Sequence, residues 1–186
     1  MLYTILSTLA LTSPPNVKLN IAVVDDENTP ICAGVLLSPS VVLTAAHCVP
    51  YVTAVQCAGE YVAAAVSSVV FEEDLATLDL FQPCNSPVVR LAKSDPPVGT
   101  EVYALGYPEH HPRMSRGIVS GYETVVMSDP SKLKNVFLVT DAAGMGGSSG
   151  GGLFDGSGRL IGIASIKGGA FMYFSPVSRI LAFLEE

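Results

Sequence analysis

Twelve short apolar segments, each closed by turn-forming residues, constrain this chain more than any other feature. They run at residues 19–24, 33–37, 41–45, 53–57, 61–71 and 75–81, and again at 101–106, 117–121, 136–141, 151–154, 160–166 and 171–174. Most are rich in Val, Ile, Leu or aromatic residues and are bounded by Gly, Pro, Asn, Asp or Ser, the punctuation of strands rather than helices. A single stretch has linker character, Lys93 to Gly99 with two adjacent prolines, and it divides the segments into two sets of six. Short strands in such numbers predict an all-β sandwich or barrel. One helix is predicted, at the C-terminus: Ser175 and Pro176 supply a cap and a first-turn proline, and Val177, Ile180, Leu181 and Leu184 then recur at helical spacing.

Composition narrows the function classes. With 186 residues, 49% of them apolar and only 15% charged, the chain can bury a core and has little room for extended disorder. Ten basic residues are spread thinly against seventeen acidic ones, so no basic stripe is available for nucleic acid. No apolar run is long enough to span a bilayer, so no stable membrane insertion is expected. The stretch from Met1 to Leu11 is apolar enough for the core of a signal peptide, yet no basic residue precedes Lys18. Residues 1–18 are therefore either such a leader or a strand or helix packed on the first barrel. The four cysteines, at 32, 48, 57 and 84, permit two disulfides without establishing an oxidising compartment.

The chemistry concentrates in two places. Gly146, Gly147, Ser148, Ser149, Gly150, Gly151 and Gly152 follow one another between apolar segments. Glycines can turn the backbone tightly with positive φ, leaving N–H groups aimed at one spot beside a hydroxyl. His47 ends the run Val42, Leu43, Thr44, Ala45, Ala46, where a base could meet that hydroxyl. His110 and His111 sit in a polar loop and are expected to be solvated. No group of His, Cys and carboxylate residues has metal-ligand spacing, so neither a metal nor another cofactor is expected.

Thr44, Ala45, Ala46, His47 and Cys48, taken with Gly147, Ser148, Ser149, Gly150 and Gly151, resemble the trypsin-like (chymotrypsin-like) serine protease family. The order of His, Asp and Ser along the chain is that family's, and the resemblance covers nearly everything beyond residue 19. The closest likeness is to the protease domain of the HtrA/Deg group. Thr140 to Ala143, Ala104 to Pro108 and Gly117 to Ser120 resemble stretches of that group, although no PDZ module is expected to follow.

The resemblance implies two six-stranded antiparallel β-barrels with a C-terminal α-helix. The protease domain would span residues 19–186, its first barrel about 19–95 and its second, with the helix, about 96–186. It implies a serine endopeptidase acting on polypeptide substrates through Ser149 as nucleophile, His47 as base and an aspartate that orients the base. Asp74 and Asp79 both qualify by position. The family pattern favours Asp74, because Leu75, Leu78 and Leu80 then fall at its apolar positions. Gly147 and Ser149 would supply the oxyanion N–H groups, and Cys32 and Cys48, sixteen residues apart, would form the disulfide that pins the histidine loop. Ser148 stands where zymogens carry an aspartate that pairs with a newly cut N-terminus, which argues against activation by such a cut.

Ala143 would stand at the floor of the specificity pocket. With no acid there, basic substrates are disfavoured, and cleavage after small or medium apolar residues is expected. Ser165, Ile166 and Lys167 would bind substrate as an added strand, with Phe171 or Met172 narrowing the pocket. A non-catalytic binding module of the same fold, and a self-processing protease of viral or phage type, are the competing readings. A secreted or extracytoplasmic location is favoured by the N-terminal segment and the expected disulfide; nothing in the sequence sets the oligomeric state.

Overall fold

The computed structural model describes residues 14–108, 111–126, 134–144 and 147–185. A 3-10 turn at Val17–Leu19, whose N-cap Asn16 side chain accepts from the Lys18 amide, leads into β1, Asn20–Val24. The first barrel continues with β2 (Pro30–Ser38), β3 (Val41–Thr44), β4 (Ala54–Cys57), β5 (Glu60–Val70) and β6 (Leu75–Leu80). These six close in the order β1-β2-β3-β6-β5-β4, every pairing antiparallel. Its interior is filled by Ile21, Val23, Leu36, Val42, Val55 and Leu78, the inward sides of their strands.

The second barrel is built from β8 (Glu101–Gly106), β9 (Arg113–Val126), β10 (Lys134–Thr140), β11 (Gly152–Asp155), β12 (Arg159–Gly168) and β13 (Phe171–Pro176). β11 pairs with both β8 and β12, which closes the ring. Between the barrels lies β7, only Arg90–Leu91, added parallel to the outer side of β12. The linker from Lys93 to Gly99 follows it. The helix α1, Val177–Glu185, returns its apolar side to β12 and β13. Both barrels and the terminal helix thus match the architecture that the resemblance implied.

Differences from the sequence reading have local causes. β9 is far longer than the segment 117–121: among its described side chains only Val119 is buried, so no regular apolar alternation marks its length. β7 is too short to leave a pattern. Ser175 does not cap α1: it lies in β13, and Ser178 N and Oγ instead bond the Asp95 carboxylate at 2.9 and 2.7 Å. Phe183 rather than Leu184 completes the buried side of the helix. His111 is exposed as expected, while His110 and residues 1–13 lie outside the described residues. Among the described residues no helix is long and apolar enough to cross a membrane.

The seam between the barrels positions the site. Val35, Leu43 and Leu75 from the first barrel pack with Leu105, Phe154, Leu160 and Ile163 from the second in one buried cluster. Such burial is worth about 1.5–3 kcal/mol for each large side chain, so the barrels are firmly registered on one another.

Candidate active site

β3 ends at Thr44, whose hydroxyl donates to the Ala33 carbonyl at 2.7 Å. The chain then tightens into a 3-10 turn, Ala46–Tyr51, which carries His47. Cys48 in that turn is bonded to Cys32 on β2, and Cys57 is bonded to Cys84. The first bridge therefore ties the histidine turn to the neighbouring strand, so His47 cannot drift from the barrel edge. Among the described residues the one cluster of three metal-type donors is Cys32, His47 and Cys48. Both sulfurs there are spent on each other, which leaves a single free donor and no metal site.

Asp74 lies at the end of the 71–74 turn between β5 and β6. Its φ is +51°, the left-handed region that aspartate tolerates better than most residues. One carboxylate oxygen accepts from the His47 backbone N–H at 2.9 Å. The imidazole Nδ1 lies 3.0 and 2.9 Å from the two oxygens. Since a carboxylate only accepts, Nδ1 carries the proton and Nε2 keeps its lone pair. Asp74 is buried and His47 about half exposed, so the acid is shielded while the base faces solvent. The hydrogen bond that Nδ1 donates to Asp74 raises the His47 pKa above 6.5, burial works against it, and the carboxylate's charge adds to the rise. Asp79, the other aspartate of the pair, faces outward from β6 and does not touch His47.

Asp74 has a third partner. Ser165 Oγ donates to its second oxygen from β12 of the opposite barrel. Ser165 is the extra residue of a β-bulge: Ala164 pairs with Phe174 and Ile166 with Tyr173, leaving Ser165 unmatched. A bulge re-aims one side chain out of the pleat, and here it turns the hydroxyl toward the carboxylate. The sequence reading placed Ser165 in the substrate cleft and missed this bond. Its one trace in sequence is a polar residue interrupting an apolar strand.

Ser149 arrives from the second barrel. Its carbonyl accepts from Ala33 N at 2.8 Å, and Gly150 N donates to the Ala164 carbonyl at 2.8 Å. The loop is thereby stitched to β2 on one side and β12 on the other. At Gly150, φ is +77° and an added Cβ would run into the Ala33 carbonyl, the Thr44 hydroxyl and the Ala45 amide. Gly147, with φ of +87°, is equally crowded by the Tyr107 carbonyl. Only glycine fits at either position. Ser148 is buried against Gly106 and lines a cavity of about 290 Å³ with Ala143, Gly144 and Met172. Ala164 also lines that cavity, while Ser149, Ser165, Ile166 and Lys167 do not.

Beside Ser149, β12 changes from paired to open. Its residues up to Ile163 bond with β11, and Ala164 bonds with Gly150 and Gly151. From Ile166 to Gly168 its pairing is with β13, and among the described residues no strand pairs with the other edge. Ala143 and Gly144 line one cavity with Ala164 and Met172. A Cβ on Gly144 would overlap the Met172 side chain, which is buried with Ala142, Ala164 and Phe174.

The profile of the trypsin-like peptidase domain matches residues 32–163 of this sequence, which includes both the His47 turn and the Ser149 loop. The chain belongs to the trypsin-like peptidase family. A comparison with curated proteins finds no sequence match. Among solved structures, the inactive form of the Rv3671c protease superposes with a TM-score of 0.79 at 19% identity, covering 93% of this chain and 96% of that one. The active form of the same protease, from M. tuberculosis, gives 0.77 at 21% identity, covering 89% and 78%. A serine endoprotease from Yersinia pestis gives 0.74 at 23% identity, covering 91% of this chain and 62% of its own. At these identities the structural likeness speaks for the fold. Family and fold together support serine protease activity in general, and with it a polypeptide substrate for this trypsin-like chain.

Proposed function

We propose that this protein is a serine endopeptidase in which Ser149 attacks the peptide carbonyl, His47 serves as base and Asp74 orients His47. The observation that carries the reading is the doubly anchored His47–Asp74 pair, with backbone and ring of the histidine on one carboxylate, beside a loop that presents Ser149. Ser149 Oγ forms a bond to the carbonyl carbon while its proton passes to His47 Nε2. The oxyanion that develops is held by the N–H groups of Gly147 and Ser149, and one such donor is worth about 3 kcal/mol. Collapse breaks the C–N bond, and His47 returns the proton to the leaving amine. Water then enters by the same route, gives its proton to His47, and releases the acid from the acyl-enzyme.

Substrate binds as an added strand along the bare edge of Ser165, Ile166 and Lys167, where main-chain groups await partners. The residue before the scissile bond points between that edge and Ala143–Gly144. Met172 fills much of this space, and no acid lines it among the described residues, which favours small or medium apolar residues. The deciding experiment is labelling with a fluorophosphonate probe and mapping of the adduct by peptide mass spectrometry. Labelling at Ser149 that disappears in His47→Ala is the expected result. Folded protein that takes no label would instead identify a binding module built on the same fold.

A further inference from the structure

The 71–74 turn belongs to the first barrel, yet the second barrel holds it residue by residue. Asn135 on β10 donates its side-chain amide to the Glu72 carbonyl. Ser175 on β13 donates its hydroxyl to the Glu73 carbonyl at 2.6 Å. Arg179 on α1 donates from Nη1 to both carboxylate oxygens of Glu73. Ser165 completes the series at Asp74. Three consecutive residues are thus each gripped by the opposite barrel.

The barrel itself does not need these links, because Val70 already pairs with Leu75 across the turn and β6 is paired on both sides. The turn also carries strain. Asp74 sits at a left-handed φ, which costs a residue with a side chain about 1–2 kcal/mol unless its surroundings enforce it. The Glu73–Arg179 pair is only about a quarter exposed, at 25% and 26%, so solvent screens it less than a surface pair. It borders a cavity of about 340 Å³ between Val70, Val136 and Phe183, whose other charged group is Asp95. Asp95 is engaged by Ser178, which leaves Arg179 committed to Glu73.

We propose that Glu73 and Arg179 are positioning residues, the charged link of a clasp through which the terminal helix sets Asp74 against His47. The inference rests on the reading of His47 and Asp74 as a catalytic pair. It makes docking of the second barrel, and of α1 in particular, a condition for a competent base in the first. The geometry separates it from a general stabilising role, since these four side chains of the second half all land on the consecutive residues Glu72, Glu73 and Asp74.

The test uses Arg179→Met, the near-isosteric Glu73→Gln, and the exchanged pair Glu73→Arg with Arg179→Glu. Two quantities are read in the full chain: kcat and KM on a peptide substrate, and the titration of the His47 ring by NMR. Each single variant should lose about tenfold or more in kcat with KM held within about twofold, because misplacement weakens the base and not the binding edge. The His47 titration should move down toward its ordinary value, and the exchanged pair should recover most of both losses. Folded Arg179→Met or Glu73→Gln protein with parental kcat and parental His47 titration would overturn the proposal, as would a loss confined to melting temperature. The NMR readout needs no turnover. If the unmodified protein takes no fluorophosphonate, the catalytic reading fails while the titration still judges the clasp.

Discussion

Ser165 Oγ donates to the Asp74 carboxylate across the seam of the two barrels, joining residues that lie 91 positions apart. The Ala33 amide makes the reverse crossing, from the first barrel to the carbonyl of Ser149 in the second. Each barrel therefore fixes an element of the proposed site that the other carries. Neither half holds a complete site, and the buried seam cluster around Leu43, Leu75, Phe154 and Leu160 is what brings them into register. A chain split at the linker would leave His47 and Asp74 on one piece and Ser149 on the other.

Replacing Ser165 by alanine separates orientation from binding. A hydrogen bond to a charged acceptor contributes about 1.5–3 kcal/mol, and only part of that acts on the transition state. The expected loss is about tenfold in kcat, equivalent to about 1.4 kcal/mol. With one donor gone, Asp74 becomes a stronger acceptor, so the acid limb of the pH–rate profile should move to higher pH. A profile that stays in place while KM rises would assign Ser165 to the substrate edge alone.

The unmodified enzyme has its own signature in pH. His47 acts as base only when neutral, and its pKa is raised above 6.5, first by its hydrogen bond to Asp74. The rate should therefore climb through a pH above 6.5 and approach a plateau beyond it. Stability carries the opposite sign. A raised folded-state pKa means that the imidazolium–carboxylate pair stabilises the fold fully below 6.5 and loses that contribution as pH rises through the folded value. Rate profiles and melting curves over the same range check both. An acid limb below 6.5 would contradict the assigned partner.

Much of this arrangement was legible in the sequence, for identifiable reasons. The barrels announced themselves because most inward residues are Val, Leu or Ile between clear turn signals, as in β3 and β6. The glycines around Ser149 were legible because Gly147 and Gly150 occupy conformations and spaces closed to any other residue. What escaped depended on distant contacts. The shallow burial of β9 hid two-thirds of its length, and nothing near residue 95 marks Asp95 as the cap of a helix that begins at Val177. The choice between Asp74 and Asp79 likewise rested on likeness. The structure turns Asp79 outward on β6, whereas Asp74 leaves the strand in a left-handed turn that returns its carboxylate to His47.

Pocket size gives the last prediction. Met172 is paired with Lys167 across β12 and β13, and its side chain lies against Gly144. Being buried among Ala142, Ala164 and Phe174, it cannot swing away without opening a void. Methionine is unbranched and soft, so it yields a little to a small or medium side chain and blocks a large one. Truncation to alanine should open the space at a stability cost of about 2–5 kcal/mol, the usual range for emptying a buried site. Selectivity should move the other way. The ratio of kcat/KM for peptides with Phe or Leu before the scissile bond, relative to Ala, should rise by about tenfold or more, since each added methylene in an apolar pocket is worth about 1–3 kcal/mol. Enlarging the pocket does not touch His47, so the acid limb of the pH–rate profile should stay where it was. If Met172→Ala remains folded and keeps the parental preference for small residues, the specificity is set elsewhere along the edge of Ile166 and Lys167, and Met172 serves only as core.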